Sequence, residues 1–194
     1  SNSLSGIFDM KMRNGNTTDF AHSVQLGIWG LDLSSEGPIS KKNGSSYLFN
    51  YRYSYSGLAD KISGSDEGLN YQDLAFKINL PTKKMGTFTF WGIGLLDKII
   101  QRPEDDPKQW ETSMERQEQK ADFQKGAIGM AHTLSWNDNT YLRSNIGITF
   151  SGTKAENHIY DNELNRIPVA FATKHETNLQ INTFVNKRFN AFHT

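Results

Sequence analysis

The sequence predicts an all-β protein, an antiparallel up-and-down meander of about eight strands. Apolar residues return at every second position over most of the chain, and helical spacing is nearly absent. The segments between the alternating runs carry turn residues, and short segments alternate with long ones. Composition agrees: only 36% of residues are hydrophobic, yet 12% are aromatic and 16 are glycine. That balance suits pleated, half-exposed strands better than a helical core.

The first alternating run is "SGIFDMKMRNGN", residues 5–16, with Phe8, Met10 and Met12 set against Asp9, Lys11 and Arg13 until Asn14-Gly15-Asn16 breaks it. A period of two predicts a strand with one apolar face. Residues 20–39 read as two less regular strands with a tight bend near Gly30. Over 46–54, Tyr47, Phe49, Tyr51 and Tyr53 oppose Leu48, Asn50, Arg52 and Ser54; over 73–80, Leu74, Phe76, Ile78 and Leu80 oppose Asp73, Ala75, Lys77 and Asn79. A weaker strand follows at 86–95. Ile128, Met130, Leu134 and Trp136 share one side of 125–136, with His132 the polar exception. Leu142, Ile146, Ile148 and Phe150 share one side of 141–150, and Leu179, Ile181 and Val185 one side of 178–185.

Short connections, at 41–45, 81–85, 137–139 and 186–190, hold turn chemistry such as Asn43-Gly44. Long polar ones are expected at 55–69, 96–122 and 152–172. In a meander every second connection lies at the same end, so tight turns gather at one end and long loops at the other. Outer-membrane barrels have this asymmetry. Within 96–122, Asp106 before Pro107, with Gln109 following, is an N-cap signal for a short helix carrying Trp110 and Met114 on one face.

A chain of 194 residues accommodates one domain, or at most two. Lys plus Arg equals Asp plus Glu, 21 each, so net charge carries no footprint of nucleic-acid binding. The absence of cysteine excludes disulfides, thiol nucleophiles and cysteine metal sites. No run of about 18 apolar residues predicts a transmembrane helix, but barrel strands leave no such trace. The opening "SNS" lacks the features of a signal peptide, so the chain is either cytoplasmic or starts downstream of its leader.

Motifs for chemistry are few. Gly92-Ile93-Gly94 lacks the third glycine and the strand-to-helix setting of a dinucleotide loop, and no P-loop, HExxH or GxSxG is present. His22, His132, His158, His175 and His193 are scattered without ligand spacing. Glu104, Asp105 and Asp106 could offer oxygen ligands to a cation, but a solvated loop face is the simpler reading. Asn16-Thr17-Thr18 and Asn43-Gly44-Ser45 match the glycosylation sequon, a pattern frequent by chance. No catalytic, cofactor-binding or metal-binding residue is expected, and no enzyme. The stripe Tyr47, Phe49, Tyr51, Tyr53 fits either a sugar-stacking platform or a buried or lipid-facing side. In the latter case Asn50 and Arg52 face a polar lumen.

A set of phrases adds a resemblance. "LSGIFDMKMRNGN" (4–16), "LDLSSEGPI" (31–39), "SSYLFNYRYS" (45–54), "LNYQDLAFKINLPTKKMGTFTFWGIGL" (69–95) and "FVNKRFNAFHT" (184–194) together resemble the start of the barrel of TonB-dependent outer-membrane receptors of Bacteroidetes. The likeness is densest before residue 96. It implies that residues 1–16 close a plug domain and link it to the barrel, and that 17–194 form the N-terminal portion of a transmembrane barrel of about 22 strands with a plugged lumen. It further implies uptake of a scarce solute, such as a glycan, an oligopeptide or a metal chelate, driven by the TonB complex through a segment outside this chain. Outer-membrane lipid and a surface lipoprotein would be the other partners, with no cofactor. Ligand-contacting residues are unknown. Two alternatives stay open: a complete eight-stranded outer-membrane barrel with a structural or adhesive role, and a soluble lipocalin-like ligand-binding barrel.

Overall fold

In the computed structural model, which describes residues 11–28, 30–55 and 68–189, the alternating segments form one antiparallel sheet. Its strands are β1 (Ala21–Gly27), β2 (Gly30–Ser40), β3 (Ser45–Tyr55), β4 (Gly68–Pro81), β5 (Thr87–Gln101), β6 (Gln117–Asn137), β7 (Thr140–Tyr160) and β8 (Arg166–Lys187). They lie in chain order, each paired with its neighbours, so the topology is the expected meander. The sheet is open: β1 and β8 are its two edges, and both are exposed over nearly their whole length.

Register divides the sheet into two faces. Phe49, Phe76, Gly92, Ile128, Ile148 and Leu179 stand side by side across six strands. The adjoining row, Tyr47, Ile78, Phe90, Met130, Ile146 and Ile181, lies on the same face. Opposite them stand Glu36, Leu48, Lys77 and Trp91, with Ser34, Asn50 and Ala75 one row on and Asp32, Arg52 and Asp73 in the row after that. Glycines on one strand are covered by aromatic rings from the next: Phe76 over Gly92, Phe150 over Gly126, and Trp91 over Gly129, where a Cβ would sit 2.7 Å from the indole. Such cross-strand cover restores the packing that a missing side chain forfeits.

No conventional core results. Apart from Pro38 and a few glycines, Ala127 is the sole buried apolar residue among those described, whereas Ile128, Ile146, Ile148, Phe150 and Leu179 are all more than a third exposed. The accessible surface is 14088 Å², against about 9,300 Å² for a compact protein of this mass. Much apolar surface on one face therefore has no partner within the sheet.

The two ends differ. Residues 41–44, 82–86 and 138–139 make the turns at one end. Gly44 (φ 71°) and Gly86 (φ 75°) supply the left-handed conformations needed there, and Thr82 N–H donates to the Gly86 carbonyl at 2.8 Å. Connections 28–29, 56–67, 102–116 and 161–165 leave from the other end, so the asymmetry is present with one tight exception at the expected bend near Gly30. Of the expected long loops, 152–172 is mostly strand and 96–122 is strand at both its ends. β5 runs on to Gln101, β6 starts at Gln117, and β7 and β8 pair through Tyr160 and Arg166. Polar residues there occupy both faces, so the alternating signal fades while backbone pairing continues. The expected short helix is a single 3-10 turn, Pro107–Gln109, capped by the Asp106 carboxylate.

Residues 5–10 of the first expected strand lie outside the described residues. Its remainder, 11–16, is not a strand but a strap across the polar face near the short-turn end. The reason lies in its partners. Gly15 is buried so closely against the Tyr47 carbonyl that a Cβ would collide with it, and Lys77 Nζ donates to the Met12 carbonyl at 2.6 Å. Backbone groups spent on side chains and close approach are not available for a ladder.

Candidate functional site on the polar face

The polar face carries a ladder of hydrogen-bonded side chains built by β2, β3 and β4. At its short-turn end the Glu36 carboxylate accepts both Arg13 guanidinium nitrogens, at 2.5 and 2.7 Å, and the Asn16 backbone N–H at 2.9 Å. This two-pronged geometry is the strong form of an Arg–carboxylate pair. The Glu36 hydrogen bond raises the proton affinity of Arg13 further above its ordinary range. Next along the ladder, Asn50 Nδ2 donates to Asp32 Oδ1 at 3.1 Å. Arg52 then donates through Nε to both Asp73 oxygens, at 3.1 and 2.9 Å, with its terminal nitrogen 2.9 Å from Oδ2.

Two open cavities lie along this ladder. One of about 390 Å³ is bounded by Arg13, Ser34, Glu36, Leu48 and Asn50. The other, about 260 Å³, is bounded by Asp32, Arg52 and Tyr71. Their walls hold donors and acceptors already organised by one another, which is the chemistry of recognising a hydrophilic solute by hydrogen bonds. Asn50 and Arg52 thus stand on the expected side, opposite the tyrosine stripe.

A second polar cluster is built where β6, β7 and β8 extend beyond the apolar rows. Glu118 and His158 are buried there, at 9% and 7% exposure. Arg166 places Nε 2.8 Å and its terminal nitrogen 2.6 Å from Glu118 Oε2, and the latter nitrogen lies 3.2 Å from His158 Nδ1. Lys120 Nζ is 2.8 Å from Glu118 Oε1, and the Phe171 ring stands edge-on to His158 at 5.6 Å. Burial favours the protonated Glu118, but hydrogen bonds from Lys120 and Arg166 outweigh it and hold the carboxyl below its ordinary range. Nothing in the spacing of these residues announces the cluster, because the pairing of β6 with β7, which sets Glu118 across from His158, and of β7 with β8 brings them together.

The other candidate residues occupy structural positions. His22 Nδ1 lies 2.9 Å from Ser35 Oγ, while His132 stacks on Phe88 at 4.4 Å and reaches the Met85 carbonyl at 2.7 Å. His193 lies outside the described residues. Glu104, Asp105 and Asp106 sit in the 102–116 loop, where the Glu104 carbonyl accepts Trp110 Nε1 and Asp106 caps the turn. No group of three His, Asp or Glu side chains suited to a metal occurs among the described residues. Asn16 and Asn43 turn their side-chain oxygens onto Thr18 and Ser45. Gly92 and Gly94 lie inside β5.

Comparison with protein-family models, curated proteins and solved structures returned no match. No helix among the described residues is long and apolar enough to cross a membrane, which says nothing of strands.

Proposed function

We propose that these strands belong to the barrel of a TonB-dependent outer-membrane receptor. The receptor binds a scarce solute, such as a glycan, an oligopeptide or a metal chelate, and imports it into the periplasm. The observation that carries this reading is the division of one sheet into a face suited to lipid and a face suited to water. Leu142–Phe150 on β7 and Gly126–Leu134 on β6 each span nine residues of the apolar side, the length of a tilted strand crossing a bilayer. The ladder from Arg13 to Asp73 would then line the lumen and offer the solute its hydrogen bonds. The strap at 11–16 enters that same face from the short-turn end, as a chain arriving from a plug would. In this reading the TonB complex acts through a segment outside the chain, and a surface lipoprotein assists capture.

Unpaired edges favour a large barrel over a small one. A closed eight-stranded barrel, membrane-bound or lipocalin-like, needs β1 to pair with β8, and among the described residues these strands are edges. The test is an immunoblot of outer-membrane fractions with antibody raised against this chain. A band several times larger than 22.0 kDa is expected. A membrane band at that mass would replace the reading with a small barrel, and a band in the soluble fraction would exclude the membrane altogether.

A further inference from the structure

The chain is neutral as a whole, with 21 basic and 21 acidic residues, but its charges are sorted between the two ends of the sheet. At the short-turn end, the 41–44 turn carries Lys41 and Lys42, the 82–86 turn Lys83 and Lys84, and the close of β8 Lys187 followed by Arg188. Asp138 is the single acid among the described turn residues there. The strap and the strand beneath it add Lys11 and Arg13 against Asp19 and Glu36, which leaves the balance unchanged. At the other end, residues 102–116 and 161–165 hold seven acidic and three basic side chains. All six basic residues of the short-turn rim are exposed, and no carboxylate among the described residues pairs with Lys41, Lys42, Lys83 or Lys84.

Apolar groups skirt the same end. Met85 follows Lys84 within its turn and is 63% exposed, and Trp136 stands two residues before the 138–139 turn at 57%. Lys187 Nζ lies 5.1 Å from the centre of the exposed Phe189 ring. Behind them the apolar rows begin, with Leu80 beside Phe88 and Leu134 beside Leu142 and Val185. Neighbouring strands are about 4.8 Å apart, so the two lysine turns, two strands apart, stand about 10 Å from each other along the rim. We infer that this rim holds anionic phospholipid by its phosphodiester headgroups, with the acyl chains running down the apolar rows. The inference rests on the membrane reading above. A free anion or an acidic protein segment would gain from the ammoniums but nothing from Leu80, Leu142 and Val185. A molecule with an anionic head and apolar tails gains from both. Basic side chains are drawn to an anionic lipid surface while their stems pack on apolar groups, and a tryptophan ring settles at the same depth.

The experiment is native mass spectrometry of the full-length protein in detergent, titrated with phosphatidylglycerol or phosphatidylcholine carrying identical oleoyl chains. Wild type is expected to hold phosphatidylglycerol about tenfold more tightly. The fourfold variant Lys41→Gln, Lys42→Gln, Lys83→Gln, Lys84→Gln should bring the preference below about twofold, and arginine at the same four positions should keep it. A second fourfold variant, Lys98→Gln, Lys108→Gln, Lys154→Gln, Lys174→Gln, removes the same charge away from the rim and should also keep it. Equal retention of both lipids by wild type would overturn the inference, as would an equal loss of preference in the two glutamine variants. Displacement of phosphatidylglycerol by glycerol phosphate, the headgroup without its chains, would mark a site for free anions and overturn it too. Each of these results leaves the membrane reading intact. Recovery of the full-length protein in aqueous buffer without detergent would overturn both.

Discussion

Ile146 is where the two-faced sheet is most open to attack. It sits four residues from Leu142 and four from Phe150, at the centre of the apolar stretch of β7, between Met130 and Ile181, and is 39% exposed. Four residue steps are about 13 Å of strand, or about 10 Å of depth at a 40° tilt. In a barrel wall that is close to the bilayer midplane. An arginine there costs about 2–4 kcal/mol on the lipid side, whereas near the interface it costs about 0–1 kcal/mol. Asn145, one residue earlier, points to the opposite face, beside Ala131 and Asn182.

Ile146→Arg should therefore lower the stability of the membrane-inserted full-length protein by about 2–4 kcal/mol, and Asn145→Arg by under about 1 kcal/mol. Urea titration in lipid vesicles, followed by the heat-dependent shift in gel mobility, measures both. In water the contrast vanishes. An arginine replacing a partly exposed isoleucine on a solvated sheet removes apolar surface from solvent and costs little. Equal effects at 145 and 146, or an Ile146→Arg protein within about 0.5 kcal/mol of wild type, would refute the assignment of the apolar face to lipid.

Three further outcomes follow from named contacts. Glu36→Gln removes the charge that holds Arg13 and weakens the acceptor of Asn16 N–H. Trypsin cleavage after Arg13 should accelerate by about tenfold, and an unchanged rate would mean that the strap is held elsewhere. Gly15→Ala drives a methyl group into the Tyr47 carbonyl, so the same cleavage should accelerate although every charge is kept. The Glu118 carboxyl is held below its ordinary range by Lys120 and Arg166. A depressed folded-state value means stabilisation that is complete above the unfolded value, near 4.3, and lost as pH falls through the folded one. Hydrogen-exchange protection, taken relative to the intrinsic rate at each pH, should fall at the paired ends of β6, β7 and β8 as pH drops below about 4.3. Glu118→Gln should flatten that step, and a step of equal size in the variant would assign it to another group.

Sequence alone yielded what a period of two can carry. The tyrosine stripe of β3, the run Leu74–Leu80 and the run Leu142–Phe150 were readable because each sets apolar residues on one side of the sheet and mostly polar ones on the other. Alternation vanished where the two sides carry residues of the same kind. Residues 117–125 and 151–160 pair as regularly as the rest of β6 and β7, yet Lys120, Asp122 and Gln124 on one face are matched by Gln119 and Lys125 on the other. Backbone pairing needs no alternation, so hydropathy cannot mark where such strands end. Glu118 and His158, the core of the second polar cluster, lie in that silent region. The cluster is a product of register, since residues 40 and more positions apart meet only once β6 has been aligned on β7. The strap fails differently. Residues 10–13 alternate as well as any strand, but the Met12 carbonyl and the Asn16 N–H are taken by the Lys77 and Glu36 side chains, and Gly15 lies against the Tyr47 carbonyl, so the segment has no ladder partner. Periodicity reports which surface a segment presents; whether a neighbour takes its hydrogen bonds is decided by residues far along the chain.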